Sequence, residues 1–95
     1  MAFPVLANLQ GDPFFTTATK QKVVPQSVFG FKLAEQDSEL FLGGTNDELF
    51  TGTLEPHKVD SSSGFWQIPG ASVIVNGQTV TDAGSFDTII DTGTT

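Results

Sequence analysis

The sequence contains no cysteine, no tyrosine and no arginine, and only one histidine. The lack of cysteine excludes disulfides, thiolate metal sites and cysteine nucleophiles, and it leaves the redox compartment undecided. The lack of arginine removes the bidentate fork that grips phosphate or guanine, and a net charge of −7 repels a phosphate backbone. Nucleic acid is therefore not an expected partner. With His57 alone there is no second histidine for a common zinc site, so neither a metal nor another cofactor is expected. No apolar run approaches the roughly 20 residues of a membrane span. The opening "MAFPVLANLQ" has no basic region leading into a long apolar core, so it does not read as a signal peptide.

Ninety-five residues make one small domain or a piece of a larger one. Nine phenylalanines and one tryptophan supply much of the bulk for a core that must be thin at this length. An excess of acidic residues, 11 against 4 lysines, suits an acidic working environment, where carboxylate self-repulsion relaxes.

The local patterns are those of an all-β chain with one short helix near its N-terminus. Asp12 suits an N-cap, Pro13 the first helical position, and Phe14 to Gln21 could make two turns before Pro25. In "SVFGFKL" a period of two puts Phe29, Phe31 and Leu33 on one face. "LFLGG", "FTGTLEPHKV" and "FWQI" read as further short strands, the second demoted to an edge or bulge by Pro56. "SVIVNGQTVT" is the clearest hairpin, because Asn76-Gly77 is the preferred pair for a two-residue type I′ turn. "FDTIID" closes the series. Ile89 and Ile90 must point to opposite faces of that last strand, which suits a strand covered on both sides by more chain than follows it.

Asp91 is the residue with the most chemistry to offer. A carboxylate at a strand end needs donors around it, and the N–H of Gly93 and the hydroxyls of Thr92 and Thr94 can supply them. The same three residues also fit a plain Asx-turn, in which Asp91 caps its own backbone. His57, Asp60 and Ser61 to Ser63 share one polar loop, which is not how a serine triad is assembled. Phe65 and Trp66 could bind a sugar ring, but neighbouring strand residues face opposite ways and cannot make one platform, so at least one ring belongs to the core. The paired glycines of "LFLGGTND" lack the continuation of a phosphate-cradling loop.

Taken in chain order, several stretches resemble the pepsin-like aspartic proteases. "IIDTGTT" resembles the family's second catalytic motif, and "FWQI" its aromatic-Trp-Gln-Ile strand. "LFLGGTNDELFTGTL" resembles the Gly-Gly, short-loop, Thr-Gly stretch, "VFGFKL" the strand that crosses between lobes, and "MAFPVLANL" the segment after the first lobe's Asp-Gly-Ile-Leu-Gly. With no cysteines, the flavour is that of fungal secreted members. The resemblance implies a bilobal fold, with residues 1–33 ending the N-terminal lobe and 34–95 beginning the C-terminal one. It implies an aspartic endopeptidase acting on polypeptide, secreted or vacuolar, in which Asp91 is one of two catalytic aspartates. Thr92, Gly93 and Thr94 would support that carboxylate, Ile89 would line the cleft, and Phe65 and Trp66 would back it. The other aspartate and the flap tyrosine would lie before Met1, which matches an internal family position, so the piece alone is expected to be inactive. Two other readings stay open: a non-catalytic β-module that binds a partner or glycan, and an inactive truncated gene product.

Overall fold

Six short strands and one helix form the regular structure in a computed structural model that describes residues 1 and 3–94. The strands are β1 (Phe29–Lys32), β2 (Glu39–Leu42), β3 (Gln67–Ala71), β4 (Ile74–Val75), β5 (Gln78–Thr79) and β6 (Phe86–Ile89), and the helix is α1 (Phe14–Lys20). Three 3₁₀ turns intervene, at Pro4–Leu6, Asp47–Leu49 and Thr81–Ala83. All strand pairs are antiparallel, β1 with β2, β3 with β6 and β4 with β5, and among the described residues the second edge of β3 is met only by a single bridge from Asp60 to Gln67. The architecture is the expected one of short strands and hairpins with a single helix. The chain divides into two compact units, Asp12–Glu55 with Met1, and the described part of Ala2–Gly11 with Pro56–Thr95.

In the first unit the helix starts one residue later than the capping pattern suggests. Pro13, with extended backbone, is the N-cap, and its carbonyl accepts the first helical bond from Thr17 N at 3.1 Å. Asp12 caps nothing; its carboxylate lies 2.6 Å from Lys20 Nζ in an exposed ion pair. Gln21 ends the helix as its C-cap. The β1–β2 register pairs Phe29 with Leu42 and Phe31 with Leu40, as a period of two requires. Phe29 stands edge-on between Phe15 and Phe31, with centroids 4.9 and 5.9 Å away. Leu33 falls beyond the strand. The "AEQDSE" turn closes through Ser38, whose hydroxyl donates to the Ala34 carbonyl at 2.8 Å and accepts from the Ala34 N–H at 3.0 Å. Ala18 is the one buried apolar residue among those described, which confirms how thin the core is. A cleft of about 470 Å³ beside it is lined by Phe14, Thr17, Val23, Val24, Pro25 and Leu42 among others, and none of its lining side chains titrates.

The second unit carries Asp91. In β4–β5, Ile74 pairs with Thr79 and Val75 with Gln78, and Val80 N donates to the Val73 carbonyl at 2.8 Å. Asn76 and Gly77 connect them with φ of 51° and 77°, the left-handed pair that a type I′ turn demands. In β3–β6, Gln67 pairs with Ile89 and Ile68 with Thr88, after which the register slips before Ala71 meets Phe86. Pro69 lies in the slip, and its missing N–H is the physical cause. Trp66 is not itself in β3, but its carbonyl accepts from Ile90 N at 2.9 Å and continues the ladder toward Asp91.

One strand expectation does not hold. The segment "FTGTLEPHKV" forms no strand among the described residues; only Asp60, beyond it, bridges to Gln67. Gly52 has a left-handed φ of 80° and Pro56 has no donor, so the segment has no long run able to join a ladder. Ile89 is 47% and Ile90 56% exposed, so the faces expected to be covered by further protein stand open in this chain. β6 has one partner strand, so no second layer of described residues covers its faces.

Candidate active site

β6 runs out at Ile89, Ile90 makes the last ladder bond, and Asp91 opens the turn that follows. Its carboxylate is held at both oxygens by donors a few residues ahead. Gly93 N donates to Oδ1 at 2.9 Å, and Thr94 Oγ1 donates to Oδ2 at 2.5 Å. The glycine matters here for space. Its φ is not left-handed, but a Cβ at position 93 would sit 3.3 Å from Asp91 Oδ1 and press on the bonded oxygen. Thr92 is exposed, and its hydroxyl has no partner among the described residues. The motif's last threonine, Thr95, lies outside them.

Two donors favour the charged form of a carboxylate, so Asp91 titrates below the ordinary aspartate value. The Thr94 hydroxyl contributes most and the Gly93 N–H next, against a small opposing effect of desolvation. Because the folded value lies below the unfolded one, this bonding stabilises the turn above the ordinary aspartate range. That contribution is lost as the pH falls through the lowered value. Thr94→Val keeps the side-chain shape and deletes the main donor, so the Asp91 pKa is expected to rise toward its ordinary value. An NMR titration of the Asp91 carboxyl carbon reads this directly, and an unmoved titration would contradict the assignment of Thr94 as the principal donor.

Asp60 shows that this turn chemistry is not unique to Asp91. Its Oδ1 accepts from Ser62 Oγ at 2.7 Å and from Ser62 N at 3.1 Å, and its carboxyl also titrates low, chiefly because of that hydroxyl. The serines beside His57 therefore close a turn on Asp60. No group of three His, Asp or Glu side chains placed to hold a metal occurs among the described residues.

Phe65 and Trp66 divide as their alternation requires. The Trp66 ring packs on Phe3, centroids 4.6 Å apart and planes tilted by 31°, while Phe65 stays 43% exposed. That gives no shared two-ring platform for a sugar. Ile89 lies on the ladder opposite Gln67, two residues from Asp91, and its exposure leaves it open to a ligand or to further protein. One feature near Asp91 is not evident from the sequence: Gln67 Nε2 donates to Asp87 Oδ2 at 3.0 Å, across from β3 to β6. The register places Gln67 opposite Ile89, on the face that Ile89 shares with Asp87.

Comparison with known proteins bears on the whole length. The family described as eukaryotic aspartyl protease matches residues 1–95. An aspartic protease of Phaffia rhodozyma is 39% identical over 95 residues, covering all of this chain and 23% of that protein. Secreted aspartyl protease 1 of Malassezia globosa is 40% identical over 96 residues, covering 98% of the chain and 22% of its own length. Pepsin A of Suncus murinus is 35% identical over 97 residues, covering 99% of the chain and 25% of its own. The chain thus spans about a quarter of the length of the curated relatives it matches.

Proposed function

Because this chain belongs to the eukaryotic aspartyl protease family, we propose that it is the middle portion of a two-lobed aspartic endopeptidase and carries the second of its two catalytic aspartates. Residues 1–33 end the first lobe and supply the strand between lobes, and residues 34–95 open the second. Asp91 is the catalytic carboxylate. The observation that carries the reading is its position: at the end of a paired strand, within "IIDTGTT", with both oxygens engaged by Gly93 and Thr94. Asp60 also accepts from a backbone N–H and a hydroxyl, but both come from Ser62 to the single oxygen Oδ1, in a serine turn outside any such motif.

In aspartic proteases generally, two nearby carboxylates share one proton, because two like charges that close cannot both ionise. The ionised one takes a proton from the water that attacks the peptide carbonyl, and the protonated one donates to the carbonyl oxygen. Donors at both oxygens favour the charged form of Asp91 within this turn, and in a dyad the titration belongs to the pair. Thr92, whose hydroxyl is unengaged among the described residues, is placed to bond to the opposite catalytic loop and hold the pair together. Ile89 lines the cleft, with Phe65 and Trp66 behind it. The substrate is polypeptide bound in extended form, which offers backbone groups to the cleft as a strand does. The name of the Malassezia relative supports export of the complete enzyme.

The coding sequence upstream of Met1 tests this reading. A second Asp-Thr-Gly motif and a flap tyrosine are expected there, in frame with this chain. A stop codon directly upstream would overturn the reading in favour of a truncated product.

A further inference from the structure

The strand that delivers Asp91 is held by little backbone pairing. Among the described residues, next to the carboxylate, only the Gln67–Ile89 and Ile68–Thr88 pairs and the Ile90 to Trp66 bond fix β6 before the slip at Pro69. Gln67 adds three contacts to these. Its Nε2 donates to Asp87 Oδ2 at 3.0 Å, and its Oε1 accepts from Ser63 Oγ at 3.2 Å. Its backbone carbonyl accepts from Asp60 N at 2.8 Å, and Asp60 anchors the same turn through Ser62. The amide therefore uses its donor on β6 and its acceptor on the 60–63 turn. An amide can do both, whereas an ionised glutamate offers acceptors alone and would set one acceptor against another at Asp87.

We infer that Gln67 is a positioning residue for Asp91: its two-sided amide clamps the 60–63 turn to β6 and fixes where the strand releases the carboxylate. This rests on the reading of Asp91 as catalytic. Gln67 bonds to no atom of the Asp91 turn, so its loss acts on the alignment of the reacting groups rather than on substrate affinity.

The test is steady-state peptide hydrolysis by the complete enzyme. Gln67→Glu is expected to lower kcat about tenfold, since displacements of under an ångström at a reacting group cost rates of this order. KM is expected to stay within about twofold, the pattern of an interaction that acts in the transition state. Gln67→Glu combined with Asp87→Asn restores a donor facing an acceptor, with the polarity reversed, and is expected to recover most of the lost kcat. Unchanged kcat in Gln67→Glu, or no recovery in the double variant, would overturn the inference. Should Gln67→Glu fail to fold, Asp87→Leu removes the acceptor from an exposed position and carries the same expectation; a normal kcat there overturns the inference equally. If Asp91→Asn abolishes hydrolysis while Gln67→Glu leaves it normal, only the role of Gln67 falls. If Asp91→Asn leaves hydrolysis intact, the reading of Asp91 falls first.

Discussion

Asp91→Asn in the complete enzyme is expected to lower kcat for peptide hydrolysis by at least about a thousandfold, the scale of losing an acid–base group at the reacting centre. The substitution is close to isosteric. An asparagine oxygen can still accept from Gly93 N or from Thr94 Oγ1, so the turn should persist. What disappears is the charge. An amide can neither take a proton from water nor share one with the opposite aspartate, so the loss should fall on kcat with KM little changed. Retention of more than about a tenth of wild-type kcat would rule out an acid–base role of the usual size for Asp91. Thr94→Val in the same enzyme gives a graded companion result. By raising the pKa of Asp91 it should move the acidic limb of the rate profile to higher pH, although that limb belongs to the pair rather than to one residue.

Features set by near neighbours in the chain were legible in the sequence. The Asn76-Gly77 turn, the alternation of Phe29 and Phe31, and the donors Gly93 and Thr94 each depend on residues two or three apart, where chain geometry leaves few alternatives. The helix start was displaced by one residue because Pro13 takes extended backbone, leaving Asp12 to pair with Lys20. The "FTGTLEPHKV" segment reads as extended from its composition, but a strand exists only where a partner meets it, and none does among the described residues. The slip at Pro69-Gly70 was open to reading, since a proline followed by a glycine with a φ of 73° is a poor place for an unbroken ladder. The tie between Gln67 and Asp87 depends on the register of strands 20 residues apart, which only the fold reveals.

Asp91 itself shows where local reading stops. By its hydrogen bonds alone it is an Asx-type turn like that of Asp60, and the two carboxyls share even the direction of their pKa shift. Matching motifs along the whole chain separate them. Thr92 is the complementary case. No partner within the described residues explains it, whereas a contact to an opposite catalytic loop would.

The 95-residue chain by itself is expected to hydrolyse no peptide. One carboxylate cannot be both the base that activates water and the acid that protonates the carbonyl oxygen in the same step, and the shared proton of a dyad needs a second carboxylate beside the first. Among the described residues Ile89, Ile90 and Phe65 are all substantially exposed, so these side chains would not shield a bound peptide from water. The most direct measurement is therefore an acid peptidase assay of the purified 95-residue chain beside the complete enzyme, on one unfolded polypeptide and at equal molar concentration. Cleavage is expected from the complete enzyme and none above the blank from the chain. Cleavage by the chain alone, abolished by Asp91→Asn, would contradict it.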